Sequence, residues 1–342
     1  MVTLDRPRTD VPVARVKKVD AAAMELFREE GYLLAEGVLD VERDIKPVIA
    51  EYTALIDRLC RTWHAEGRLA STYEEMSFSK RLSRALNETG EKYERHVDFA
   101  LPQGGITAET PIHLGPAVFH MLTSPRLLDA VEQFIGGEIA CNPIHHTRIK
   151  VPQREVPQDR WNSATAQTDW HQDLGVALPE QDVSEVLTVW LPITKATVEN
   201  GCLVVIPRSH KGDLAHHCLV TPQKKGLHIP DTHLAEGEPV ALEMQPGDLL
   251  FFHKKTQHAS LTNESDDIRW SMDLRYNPVG QPSGRPAFPS FIARSRKQPE
   301  RELHDPAKWA QLWLETRKRL AGLPAEQWPP FNRWNKDSEM CA

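Results

Sequence analysis

The chain contains no apolar run approaching the roughly 18 residues that a membrane-spanning helix requires, so a membrane span is not expected. It also lacks any CxxC pair. Its five cysteines, Cys60, Cys141, Cys202, Cys218 and Cys341, are scattered, which suggests neither a disulfide framework nor a thiolate zinc site. Positive charge is not in excess: 41 Lys and Arg stand against 48 Asp and Glu, the net charge is −7 and the pI is about 6.1. That balance gives no general reason to expect a nucleic-acid partner. The opening stretch MVTLDRPRTDVPVARVKK has no apolar h-region and does not read as a secretory signal. Internal repeats and low-complexity tracts are absent as well. These absences leave a soluble, cytoplasmic protein in a reducing setting as the expectation. The 342 residues, 40% hydrophobic and 26% charged, have ordinary globular composition and can bury a large core.

The first part of the chain reads as helical. Asp20 can cap AAAMELFREE, with Gly31 where a C-terminal cap belongs. Residues 44–66 carry apolar residues at helical spacing, and SPRLLDAVEQFIGG offers Ser124 as a cap and Gly136-Gly137 as a stop. From about 138 short β-prone runs alternate with turns: PIHHTRIKV, VLTVWLPI, GCLVVIP, PVALEM, GDLLFFH and DIRWSMDLRY. Several short strands separated by turn signals point to an antiparallel barrel, sandwich or jelly roll. A Pro- and Arg-rich stretch follows Pro278, then one helix around DPAKWAQLWLETRKRLAG. The expected organisation is a single domain with a helical flank over 1–137, a mainly β core over 138–278 and a C-terminal extension over 279–342.

Two His-x-Asp pairs occur, His96-Val97-Asp98 and His171-Gln172-Asp173. Residues two apart on an extended backbone face the same way, so His171 and Asp173 would converge while Gln172 points elsewhere. A third imidazole from a neighbouring strand would complete the two-His-one-carboxylate set that holds non-haem Fe(II) with positions open. His258, at the far end of the LLFF run, is the candidate. In RWSMDLRY the polar residues Arg269, Ser271, Asp273 and Arg275 alternate with Trp270, Met272, Leu274 and Tyr276. Such a row is ordinarily a solvated face, but a strand facing a metal and an anionic cosubstrate needs the same pattern. The guanidinium of Arg269 could grip a carboxylate bidentately. His96 and Asp98 lie in the helix-rich part with no comparable framework, so a surface or supporting role is expected for them.

Taken together, His171-Gln172-Asp173, TVWLPITKATVENGCLVVIPRSH, PGDLLFFHKKTQHAS and RWS resemble the phytanoyl-CoA dioxygenase family of Fe(II)- and 2-oxoglutarate-dependent oxygenases. The similarity runs from about Gly31 to Tyr276 and is strongest from 168 onward. It implies a double-stranded β-helix core, jelly-roll or cupin-like, with iron bound by His171, Asp173 and His258. It also implies that Arg269 holds the distal carboxylate of 2-oxoglutarate, that Ser260 helps to hold this cosubstrate, and that Trp190 lines the pocket. The implied reaction uses O2, with ascorbate supporting activity, converts 2-oxoglutarate to succinate and CO2, and hydroxylates an unactivated C–H of a small organic molecule. A carboxylate at 173 argues against halogenation, which needs that position vacated; desaturation, epoxidation and ring formation stay open.

The chain departs from the family where members commonly read Pro-Gly-Ser-His. It has Pro207-Arg208-Ser209-His210, and a positive φ there would strain the arginine. The polar connection over 151–167 reads as an entrance loop. The adjacent pairs His145-His146 and His216-His217 are not natural chelators, and surface or local hydrogen-bonding roles are expected for them. His146, Arg148 and Lys150 could project inward together and supply a second 2-oxoglutarate contact, or Thr147 could do so from the other face. Arg275 is either a substrate-carboxylate contact or half of a structural salt bridge. Arg285 could favour an anionic substrate, though solvation is its ordinary fate. Two other functions compete: a cupin-like metal hydrolase or isomerase that needs no 2-oxoglutarate, and a jelly-roll binding protein without chemistry.

Overall fold

The computed structural model describes residues 7, 9, 11–92, 95–157, 167–219, 226–335 and 338–341. Helix α1 (Ala21–Glu30) starts where Asp20 accepts from the Ala22 and Ala23 amides and stops at Gly31 at φ 79°, as the capping residues predict. Helices α2 (Lys46–Ala65), α3 (Phe78–Thr89), α4 (Pro116–Leu122) and α5 (Pro125–Ile135) follow. At α5 the expected cap differs. Ser124 occupies the position, but its hydroxyl donates to Asp44 Oδ1 at 3.1 Å, and Pro125 opens the helix instead. Helix α6 (Pro306–Ala321) is capped by Asp305 near the C-terminus. Among the described residues no helix is long and apolar enough to cross a membrane.

The strands are β1 (Arg15–Val16), β2 (Tyr32–Ala35), β3 (Glu138–Cys141), β4 (His146–Lys150), β5 (Thr168–His171) and β6 (Leu187–Pro192). They continue with β7 (Leu203–Val205), β8 (Val240–Leu242), β9 (Leu249–His253), β10 (His258–Ser260), β11 (Arg269–Pro278) and β12 (Phe291–Ser295). One sheet runs β1-β2-β9-β6-β11-β3-β12, with β4 paired to β11 beside β3; the other runs β5-β10-β7-β8. The two face each other as in a jelly roll. Strands β1, β2 and β12, from the flank and the extension, widen the large sheet on both sides.

Period-two alternation separates the two faces of the large sheet. Trp270, Met272, Leu274 and Tyr276 on β11, with Val189 and Leu191 on β6, pack outward against α2, α4 and α5 in the main apolar core. Tyr32, Leu34, Trp190, Leu250 and Phe252 face inward to a second cluster shared with β7 and β8. Arg269, Ser271, Asp273 and Arg275 also face inward, and all but Asp273 are buried, so the solvated reading of that row is wrong.

Several local features bear on the site. Gly201 sits at φ 89°, and a Cβ there would come within 2.6 Å of the Leu261 carbonyl oxygen. Arg208 does adopt φ 65°; the left-handed backbone is held by its amide and side chain, which both bond to Glu30. The scattered cysteines suggested no disulfide framework, yet one pair is joined: Cys218 and Cys341 form a disulfide across 123 residues, a separation that leaves no spacing signal in the sequence.

The outer face of β11 should dominate stability. Leu274→Ala, at a fully buried position, is expected to cost about 2–5 kcal/mol in denaturant titration. Leu314→Ala, at a position 42% exposed, should change stability by no more than about 0.5 kcal/mol.

Candidate metal centre

His171 closes β5 and His258 opens β10, and the two stand directly opposite in the antiparallel register. Their ring centroids are 4.2 Å apart. Gln172 is extended, at φ −113° and ψ 140°, so Asp173 turns to the same side as His171. Gln172 itself points away and is anchored by the carbonyls of Asp213 and Lys255, at 3.1 and 2.8 Å. One ligand-type atom from each of His171, Asp173 and His258 lies within 4.8 Å of the others.

The chemistry of this donor set fits a divalent metal. His171 Nδ1 meets the Asp169 carbonyl at 2.9 Å, and His258 Nδ1 meets the Thr256 carbonyl at 3.0 Å. A carbonyl can only accept, so Nδ1 carries the proton and Nε2 keeps its lone pair for the centre. Burial, helped by the neighbouring His258 ring, pulls the His171 pKa down to about 3, which keeps the imidazole neutral. Burial works against the Asp173 carboxylate, but the Arg275 guanidinium, with a hydrogen bond from Thr188, outweighs it and holds its pKa below the ordinary carboxylate range. Arg275 donates to Asp173 Oδ1, and Thr188 Oγ1 donates to Oδ2 at 2.5 Å. Arg275 therefore resolves as half of an ion pair; its Nη1 is spent on the Ile144 carbonyl at 3.0 Å.

A second polar group lies in the same cavity. Arg269, 1% exposed, donates Nε to the Gly201 carbonyl at 3.2 Å and Nη1 to Ser271 Oγ at 2.5 Å, with Trp190 5.7 Å from its guanidinium. Lys150 pairs with it in the β4–β11 register and donates Nζ to Ser260 Oγ at 2.5 Å. Among the described residues neither cation has a carboxylate within 4.0 Å. Burial drives the Lys150 pKa well below its ordinary value and brings Arg269 to about 10. Burial thus disfavours the charged forms of two adjacent basic groups, and an anion joining them would restore those forms.

The cavity thus brings together His171, Asp173, His258, Arg269, Ser260 and Trp190. Thr188 was missed, although its place two residues before Trp190 puts it on the same face. Asp98 contacts this site from behind: it accepts from His146 at 2.7 Å, 48 residues away in sequence, while His96 pairs with Glu91. Two expectations are corrected. His145 is not at the surface but buried between Phe99 and Trp313, with its pKa near 3 through burial. His217, though buried, keeps the local hydrogen-bonding role expected of it, accepting from the Gln172 amide at 2.9 Å and meeting the Ala215 carbonyl at 2.8 Å. Arg285 is not solvated either; it is buried against Phe288 and Phe331 and bonded to the Val176 carbonyl. Of the entrance-loop region 151–167, residues 158–166 lie outside the described residues.

Acid should expose the buried neutral imidazoles. Burial holds His145 and His171 near 3 and His217 and His253 near 4, against roughly 6.5 in an unfolded chain. The unfolded state then binds protons first, so stability of the metal-free protein is full above about 6.5 and lost as pH falls toward 4. Denaturant midpoints between pH 7 and pH 5 should drop, and His145→Phe should reduce the drop. An identical pH dependence in that variant would show that His145 titrates normally.

Comparisons place these features in context. The family described as Phytanoyl-CoA dioxygenase (PhyH) matches residues 27–271. A probable phytanoyl-CoA dioxygenase of Caenorhabditis elegans is 29% identical over 167 residues, covering 47% of this chain and 51% of its own. A methylphosphonate hydroxylase of Gimesia maris is 33% identical over 144 residues, covering 41% and 50%. The chain spans about half the length of the curated relatives it matches. The apo structure of the non-heme monooxygenase ThoJ superimposes with a TM-score of 0.52 at 16% identity, over 86% of this chain and 95% of that one, and shows a shared fold.

Proposed function

The chain belongs to the phytanoyl-CoA dioxygenase family, and from that premise we propose that it is an Fe(II)- and 2-oxoglutarate-dependent dioxygenase that hydroxylates a C–H bond of a small organic molecule. The observation that carries this reading is the pairing, in one cavity, of a two-His-one-carboxylate set with the buried Arg269 guanidinium, which has Lys150 opposite it on the neighbouring strand. The first suits iron(II) with positions open; the second suits the far carboxylate of a dicarboxylate. The two curated relatives have different named activities, so the family leaves the substrate of this chain to its own cavity.

In this reading His171, Asp173 and His258 hold the metal. When bound, iron(II) supplies the oxidising chemistry that couples O2 and the decarboxylation of 2-oxoglutarate, to succinate and CO2, to substrate hydroxylation. The protein's part is placement. The Asp169 and Thr256 carbonyls fix the two ring orientations, while Arg275 and Thr188 fix the carboxylate. Arg269 grips the distal carboxylate of 2-oxoglutarate, Ser260 adds a hydroxyl, and Trp190 covers the guanidinium and helps to exclude water. In this reading Lys150, which donates to Ser260 and stands opposite Arg269, is the second cosubstrate contact. A hydrolase or isomerase would use the same metal set but has no task for Arg269 and Lys150.

Purified protein supplied with Fe(II), ascorbate, O2 and 2-oxoglutarate should form succinate. Asp173→Ala should lose both iron and turnover. Lys150→Met and Arg269→Ala should retain iron yet raise the half-saturating 2-oxoglutarate concentration at least tenfold, since removing one partner of a buried charge pair costs about 2–5 kcal/mol. Unchanged half-saturation in both variants would contradict the cosubstrate assignment.

A further inference from the structure

The inner face of β4 and β11 is not uniform along its length. At one end Lys150, Arg269 and Ser271 are sealed, each 1% exposed or less. At the other, the His146, Arg148 and Asp273 side chains keep 21%, 27% and 19% of their surface open. The register places Arg269 opposite Lys150, Ser271 opposite Arg148, and Asp273 opposite His146, so along β4 successive rungs lead outward, while Arg275 beyond them on β11 is buried again. All three open-end side chains line the same cavity as the metal set.

Arg148 is incompletely used. Its Nε donates to Asp273 Oδ2 at 2.9 Å, and among the described residues neither of its Nη nitrogens has a protein partner. They are not enclosed, because they face the cavity. Beside it, His146 commits Nδ1 to Asp98 Oδ2 and presents Nε2 to the cavity. The charges of the lining point the same way. Three guanidiniums, Arg148, Arg269 and Arg275, face two carboxylates, Asp173 and Asp273. A divalent metal and a dianionic cosubstrate cancel each other, so even with Lys150 left out of the count the lining keeps one uncompensated positive charge after both are in place.

We propose that Arg148, with His146 beside it, grips an oxyanion on the substrate, a carboxylate or a phosphonate, and so orients the substrate at the open side of the metal set. The inference rests on the oxygenase reading for what happens next, but the binding it describes does not need turnover. A planar fork with both Nη groups free can take two oxygens at once, which a neutral hydroxyl or amide cannot match. Asp273 fixes the guanidinium plane from behind. Arg148 is thereby a specificity-determining residue for the substrate, distinct from Arg269, which holds the cosubstrate.

The test is equilibrium binding to protein loaded with Ni(II) and saturating 2-oxoglutarate, under conditions where no reaction occurs. The probes are hexanoate, hexylphosphonate and neutral hexanol, each followed by isothermal titration calorimetry. At least one of the anions should bind saturably and at least tenfold more tightly than hexanol; the stronger of the two identifies the oxyanion. Arg148→Gln should weaken that anion at least tenfold more than it weakens 2-oxoglutarate. Arg148→Lys, which keeps a charge for Asp273 but loses the fork, should fall between, and it guards against a Gln variant that fails to fold. Hexanol binding as tightly as the anions, no binding of either anion, or a loss confined to 2-oxoglutarate would each overturn the proposal. Anion binding by a protein that takes up no 2-oxoglutarate would instead refute the oxygenase reading and leave the oxyanion site standing.

Discussion

Strand β11 must satisfy two environments at once, and the rest of the molecule is arranged around that constraint. Its even-numbered residues carry the apolar contacts against the helices, and its odd-numbered residues carry the charges of the cavity. A slip of one residue would exchange the two sets, burying Arg269 and Arg275 under helices and exposing Trp270 to the metal side. Pairing with β4, β6 and β3 fixes the register on both edges, so the apolar packing and the polar site are specified by the same hydrogen-bond ladder. Here the stability of the fold and the placement of the chemistry are one problem.

Charge inside the cavity is handled by proximity rather than by solvent. Asp173 stays ionised in a buried site because Arg275 and Thr188 each hold one of its oxygens. Burial penalises the charged His171 ring and keeps it neutral, and backbone carbonyls pin an Nδ1 proton on both His171 and His258. The result is a donor set already in the protonation state a metal requires. At the sealed end the logic is reversed: Arg269 and Lys150 face one another without a carboxylate, an arrangement that suits an incoming anion.

What the sequence made legible was local. His171 and Asp173 are two residues apart and the polar row on 269–275 shows its own period, so each could be read without knowing the fold, whereas Ser260 and Trp190 entered only through the family resemblance. The helix caps at Asp20 and Gly31 were equally local. What escaped depends on distant partners. Nothing near Arg275 announces Asp173, nothing near Asp98 announces His146, and the Cys218–Cys341 disulfide spans 123 residues. Burial of His145 and Arg285 arises from aromatic neighbours brought in by α6 and the C-terminal segment. Strand β2 reads as the start of the resemblance, yet only the pairing with β9 shows why: it continues the large sheet beneath the helices. The glycine-poor turn at Arg208 was legible as a possible strain, and its compensation by Glu30 was not.

The central claim, that His171, Asp173 and His258 hold iron beside a 2-oxoglutarate site closed by Arg269, is tested most directly by anaerobic titration. Protein containing bound Fe(II) would receive 2-oxoglutarate in the absence of O2 while its visible absorption is recorded. The account predicts a weak charge-transfer band that grows to saturation at one equivalent per iron and needs much higher concentrations in Arg269→Ala. Iron retained at this site in stoichiometric amount, with no band and no bound 2-oxoglutarate, would contradict it.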